Sequence, residues 1–341
     1  MQSFPKYFFL LIVILSVFSC RLKTEKKNLS PKKKDKILVE QNMSAELVES
    51  LVFDFYQNLA KIQENRIFYK IETLENDKNT IDDFVFNRYA AVSARATESI
   101  QILKNYNLHL KKQYGFSKEN QIASYKRIIQ GDLKKNCKDS DPKQLLVALK
   151  NLLEDREFIG QSDNFRLDIV DVFREILVLS NNRSYQKIKE DISSKDAKSL
   201  SKHSQEFLLE LLYMDEVLGS RNEFSFGVHL SKIKNLGNTR ADKNLIESTF
   251  SKKIIESNYQ MSGLIKTVYQ PLWSTYLGSL QENWHFQETY KADVSMFLEN
   301  WILHTKELPS FSKGDELEIV LEVLGSNDHL FAEWLCWSVK R

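Results

Sequence analysis

The chain has 341 residues and a mass of 39.9 kDa, enough for two or three compact units of ~100–200 residues. Hydrophobic residues make up 42% and aromatics 11%, which excludes wholesale disorder because that much apolar surface offsets backbone entropy. Ten glycines and five prolines are about a third of the usual share, which disfavours turn-rich β sandwiches and Rossmann-type folds and favours long helices. Three cysteines cannot build a disulfide scaffold, and a net charge of +2 is no nucleic-acid signature.

In chain order, one positive charge (Lys6) precedes an uncharged apolar run from Tyr7 to Phe18, followed by Ser19 and Cys20. A basic start and a short apolar core are the layout of a secretory signal. A helix of that length covers ~18 Å, too short for a ~30 Å hydrocarbon layer. Val17-Phe18-Ser19-Cys20 resembles a bacterial lipobox, which is cleaved just before its cysteine. That resemblance implies a signal peptide over residues 1–19 and a Cys20 that carries diacylglycerol on its thiol. Val17 in place of the commoner leucine and the bulky Phe18 match the relaxed lipoboxes of spirochaetes.

Residues 20–40 read as the lipidated cysteine and a disordered basic tether. Arg21, Lys23, Lys26, Lys27, Lys32, Lys33, Lys34 and Lys36 are opposed only by Glu25 and Asp35, and Pro31 breaks any helix. Such a stretch is either a solvated linker or is drawn to anionic headgroups at ~1 kcal/mol per basic residue.

From Ser44 onward the apolar period is helical. Ser44 caps a helix with Leu47, Leu51, Phe55, Leu59 and Ile62 on one face. Thr80 and Asp83 form a capping-box-like start for a helix running to Gly115, and Ser117 opens a short one. Asp141-Pro142 starts the next, which holds Leu145, Leu146, Leu149, Leu152 and Leu153 and closes at Gly160. Ser162 starts another, broken at Asn181-Asn182, and a further helix ends at Gly219. Gly219, Gly227 and Gly237 suggest a hinge, so a helical domain is expected over 41–219 and an aromatic-rich helical domain over 220–341. In the latter, helices are expected over 240–268, 272–285, 287–307, 314–324 and 327–340. The predicted fold class is all-α, one or more multi-helix bundles of ~10–13 helices with no significant sheet.

No phosphate loop, GxSxG elbow or HExxH pair is present, so no catalytic, cofactor or metal residue is predicted. His304 and Glu307 lack a third ligand and read as surface groups. Asp168, Asp171 and Glu175 share a helix face opposite Phe165, Ile169, Phe173 and Ile176. They are expected on a solvated polar face rather than in a cation or acid–base site. Cys137 lies among lysines and Cys336 between tryptophans, and a bridge between them needs a proximity that sequence does not give. Residues 40–83 carry a net −6 and residues 104–143 a net +6, which fits complementary helices better than a polyanion strip, and no nucleic acid is expected.

All five tryptophans lie in the last 69 residues. Trp273, Tyr276, Leu280 and Trp284 follow helical spacing, as do Tyr290, Val294, Phe297 and Trp301. Such stripes usually pack inward, while Trp273, Trp284 and Trp301 are the candidate partner-binding residues if they face a groove.

The lipobox, the basic tether and the Lys-, Asn- and Phe-rich body together resemble the plasmid- and chromosome-encoded surface lipoproteins of Borrelia-type spirochaetes. The resemblance implies a lipid anchor in the outer membrane and exposure at the cell surface. It also implies a non-enzymatic binding protein engaging a host protein or matrix component. The alternative is a periplasm-facing scaffold in envelope assembly. No oligomeric state is implied.

Overall fold

Helix starts in this chain are set by short polar side chains that satisfy the first free backbone N–H groups. The computed structural model describes residues 46–58, 61–62, 64–75, 77–114, 142–257, 260–282, 287–304, 308 and 314–326. The signal segment, Cys20, the basic tether, Cys137, Trp284, Glu307 and the segment with Trp334, Cys336 and Trp337 lie outside the described residues.

Helix α1 spans 46–58. Two short helical turns, Ile67–Lys70 and Ile71–Thr73, lead to α2, Lys78–Tyr89. Asp77, not Thr80, caps α2 by accepting from Thr80 N, and hydrogen bonds from the Thr80 hydroxyl and backbone N–H pull its carboxyl below the usual value. The helix expected to continue to Gly115 stops at Tyr89, where Ala90 takes a left-handed conformation at φ 60°. It restarts at α3, Ala94–Tyr114, with Ser93 Oγ accepting from Arg95 N and Ala96 N. The αL residue was unreadable because it is an alanine, whereas glycine is the usual choice there.

Helix α4, Lys143–Glu154, follows Pro142 and buries the expected leucines. Helix α5, Asp163–Ser194, is capped by Ser162 as expected, but Asn181-Asn182 does not break it. Asn181 is buried and donates to Phe207 O of the neighbouring helix at 3.2 Å, so a tertiary bond absorbs the side chain that usually disfavours a helix interior. Asp196 caps α6, Ala197–Gly219, with bonds from Lys198 N and Ser199 N. The two-residue connection makes α5 and α6 an antiparallel hairpin. This pair is the centre of the body: α2, α4 and α11 (Glu316–Ser326) pack on α5, and α9 (Gln270–Glu282) and α11 pack on α6.

The glycine-bearing stretch expected as a hinge is folded. It holds a 3₁₀ turn, Asn222–Phe224, and α7, Phe226–Lys234, capped by Ser225 Oγ. Helix α8, Arg240–Ser257, packs on α7 and α10, and a π turn at Ile265–Tyr269 runs straight into α9. Helix α10 is Gln287–Leu303. The fold is all-α, and no strand occurs among the described residues. An isolated parallel bridge joins Ser225 and Ser262.

The chain divides into compact units Met1–Leu47 and Val48–Arg341. The expected boundary lies at 219/220. Helix α9 lies beyond it yet packs on α6 before it, because both bury apolar faces in one core. Trp273 is 0% exposed and sits among Tyr185, Phe207 and Tyr276 at ring-centroid distances of 5.6, 4.9 and 5.9 Å. Trp301 is half-buried against Phe226. No described helix is long and apolar enough to cross a membrane.

Candidate functional site

Two charged clusters compete as the site, and burial separates them. The first is the acidic face of α5. Asp168 and Asp171 are 0% exposed, and Glu175 is buried as well, so the expected solvated face is corrected. Helix α5 is packed by α2, α4, α6 and α11, and no residue from 165 to 181 is exposed. Partners distant in sequence neutralise the acids. Arg88 donates to both oxygens of Asp168 at 2.5 Å, with Tyr89 OH adding a third bond at 2.8 Å. Arg66 pairs with Asp171 at 2.7 Å, and Arg174 lies 3.6 Å from the same oxygen. Burial pushes Asp171 up to about 6 despite Arg66, and raises Asp168 against the pull of Arg88. A ligand has no path to these groups, so they are internal structural ties.

The second cluster lies in an open cleft of about 710 Å³. Arg221, six residues past Asp215 and just beyond α6, lines it and is 6% exposed. Its guanidinium donates to Asp163 at 2.7 Å, Glu223 at 2.5 Å and Glu316 at 3.2 Å. Asp163 belongs to the first turn of α5 and Glu316 to the first turn of α11, where acidic groups suit the helix dipole. Arg166 holds the same corner together through Asp315 at 2.7 Å and Glu316 at 3.2 Å. Burial opposes the charge on Arg221, but the bonds to Asp163 and Glu223 outweigh it and raise its pKa. The bond to Arg221 holds the Asp163 carboxyl below its usual value.

The cleft is also lined by Asn58, Lys61, Asn222, His229 and Lys232. His229 packs edge-on against Phe55 at 5.0 Å, and its Nε2 lies 3.0 Å from Glu223 O. Burial lowers its pKa, so the ring is neutral near pH 7 and donates that bond from Nε2. The cleft thus offers both carboxylate acceptors and amide and ammonium donors, a surface suited to a polyhydroxylated ligand.

Of the sequence-predicted residues, two are described. Trp273 is enclosed in the core and Trp301 packs on Phe226, so neither is among the cleft-lining residues, and Trp284 lies outside the described residues. Among the described residues no group of three His, Cys, Asp or Glu side chains is placed to hold a metal, and His304 is bonded to Asn300 O. Sequence reasoning missed Arg221, Glu223 and Glu316 because they come from two segments that are far apart in the chain. Their one local signal was the polar run Ser220-Arg221-Asn222-Glu223 after a helix end.

The fold and the cleft define an all-helical domain with a polar, carboxylate-bearing cleft. The model of the alpha-N-acetylglucosaminidase (NAGLU) C-terminal domain matches residues 81–325, more than two thirds of the chain. The chain belongs to that family. Among solved structures it is similar to a family 89 glycoside hydrolase from Clostridium perfringens in complex with PUGNAc, at TM-score 0.56 and 16% identity, covering 73% of this chain and 31% of that one. The same hydrolase in complex with 2-acetamido-1,2-dideoxynojirmycin gives 0.57 and 16% with the same coverage. A doubly substituted form in complex with its substrate GlcNAc-alpha-1,4-galactose gives 0.56 and 15%, covering 73% and 32%. The chain spans about a third of the length of these structures. None of the curated proteins matches it in sequence.

These findings correct the expected identity. The family match places the body with a glycosidase domain, not with spirochaetal surface lipoproteins, and replaces both the non-enzymatic host-binding reading and the scaffold alternative. The lipobox covered only residues 1–20, and a Lys-, Asn- and Phe-rich composition specifies no fold, so neither carried information about the helical body.

Proposed function

We propose that the protein acts in the hydrolysis of glycosides of α-linked N-acetylglucosamine, and that the cleft around Arg221 holds the sugar. The observation that carries this is the family match, which includes the segments supplying Asp163, Arg221, Glu223, His229 and Glu316. The volume, about 710 Å³, lies within the ~300–1,000 Å³ of small-molecule sites. Hydroxyls of a sugar would donate to Glu223, and the amide and ammonium groups of Asn58, Asn222 and Lys232 would meet ring oxygens and the acetamido carbonyl. Glycoside hydrolysis uses carboxyl groups flanking the scissile bond. Asp163 and Glu223 are the cleft carboxylates with access, their side chains 81% and 34% exposed, and Arg221 fixes the direction of both; Glu223, the more enclosed, is the candidate taken for test.

The full chain is to be titrated with GlcNAc-α-1,4-galactose by calorimetry and assayed with a chromogenic α-N-acetylglucosaminide. Saturable binding, weakened at least about tenfold by Glu223→Gln, and release of the chromophore are the expected results. Absence of both binding and release would overturn the proposal. Lipid attachment at Cys20 is a separate proposal from the sequence: acyl labelling should be lost in Cys20→Ala, and unchanged labelling would refute it.

A further inference from the structure

The segment from Arg221 to Ser225 carries the cleft-lining Arg221, Asn222 and Glu223, and its two ends are held to the same helix by different means. At one end it continues covalently from α6, with Arg221 N donating to Leu218 O at 3.2 Å. At the other end it is stitched to the segment 262–263: Ser262 N donates to Phe224 O at 2.9 Å and Phe226 N donates to Ser262 O at 3.0 Å. Segment 262–263 is in turn gripped by Asp215 of α6, which is 2% exposed. Asp215 Oδ1 accepts from Gly263 N at 2.6 Å and Lys266 N at 3.0 Å, and Oδ2 accepts from Ser262 Oγ at 3.2 Å.

We infer that Asp215 is a positioning residue of the cleft, fixing Glu223 and His229 through the Ser262–Gly263 segment. The inference rests on the sugar reading for its functional meaning, but its geometry is independent of it. The carboxylate grips Ser262 and Gly263. It acts through Ser262 on Phe224 O and Phe226 N, and thus on the peptide that carries Glu223 O, the acceptor facing His229 Nε2.

Two features make the linkage selective. The turn that Asp215 grips begins at Gly263 with φ +89°, a conformation a side chain rarely adopts, so the segment cannot slide to a neighbouring register at low cost. The π turn that follows has no side-chain cap of its own, so its free N–H at Lys266 depends on a carboxylate from another helix. π turns of this kind often occur at functional sites. A plain capping role would explain the bonds to Gly263 and Lys266. It would not require the third bond to Ser262, the residue that makes both bridge bonds to Phe224 and Phe226.

The test uses the full chain labelled with ¹⁵N-histidine. The His229 Nε2 signal reports its bond to Glu223 O, and GlcNAc-α-1,4-galactose affinity is the second readout. Asp215→Asn keeps the side-chain volume but replaces charge-assisted bonds with weaker neutral ones. It should move the His229 signal toward that of a solvated ring and weaken sugar binding about tenfold. Ser262→Ala removes only the hydroxyl contact to Asp215 and should move the same signal in the same direction by less, which keeps the test decisive if Asp215→Asn folds poorly. Thr267→Val is the control: it deletes the Thr267 hydroxyl bond to Gly263 O on the same turn without touching the bridge. It should lower Tm and leave His229 unmoved. If Asp215→Asn and Ser262→Ala also lower Tm but leave His229 unmoved, Asp215 is a helix cap only and the inference falls. If the wild type binds no sugar, the functional proposal fails, while the His229 comparison still decides the positioning role.

Discussion

Replacing Glu210 with glutamine should remove a pH dependence of stability that one buried carboxyl creates. Glu210 lies on α6 against α5 and is 5% exposed. Ser180 Oγ and Ser184 Oγ donate to Oε1 at 2.7 and 3.1 Å, Asn181 Nδ2 lies 3.5 Å from Oε2, and no cation pairs with it among the described residues. Burial pushes its carboxyl up to about 7 from the ordinary 4.5, against those three hydrogen bonds. The folded state therefore holds this proton more tightly than the unfolded chain. Its contribution is complete below pH 4.5 and is lost as pH rises through 7. At 1.36 kcal/mol per unit, the whole window is worth roughly 3 kcal/mol. Urea unfolding at pH 4.5, 6 and 8 should show Glu210→Gln close to wild type at the acid end. At pH 8 it should be the more stable protein by roughly that amount, because glutamine fills the site without a charge. Asp168 and Asp171 are also raised by burial, but they titrate in both proteins and cancel in the difference. Parallel pH profiles for the two proteins would refute the reasoning.

Trp273→Ala should cost about 3–5 kcal/mol, the range for a large buried ring, and an unchanged urea midpoint would contradict its place in the core. Trp301→Ala should cost less because that ring is half-buried. Arg88→Met leaves Asp168 buried without its guanidinium and should destabilise by about 3–5 kcal/mol at pH 7. The loss should shrink in acid as Asp168 becomes protonated, and a pH-independent loss would show that packing, not charge, dominates. EDTA should leave Tm unchanged, since no metal-ligating group of three exists among the described residues; a fall reversed by one metal ion would refute this.

The helical class of the chain was legible because it is a local property. Scarce glycine and proline, apolar residues at 3.6 spacing, and caps such as Ser162 act within a few residues, and the structure keeps them. Local signals misled where a tertiary contact outweighed them. Asn181 stays helical because Phe207 O accepts its amide, and Ala90 ends a helix in a conformation its side chain does not advertise. Charge position was the larger failure. A carboxylate opposite an apolar stripe normally faces water, yet Asp168 and Asp171 face arginines 80 and 105 residues away, because α5 has no exposed residue from 165 to 181. The cleft was invisible for the same reason. Arg221 gathers Asp163, Glu223 and Glu316 from segments up to 153 positions apart, and no spacing rule links residues that meet only when α5, α6 and α11 pack. Sequence determined which segments would be helices and which faces were apolar. Only the packing of those helices decided which charges are buried, which are paired and which line a cleft.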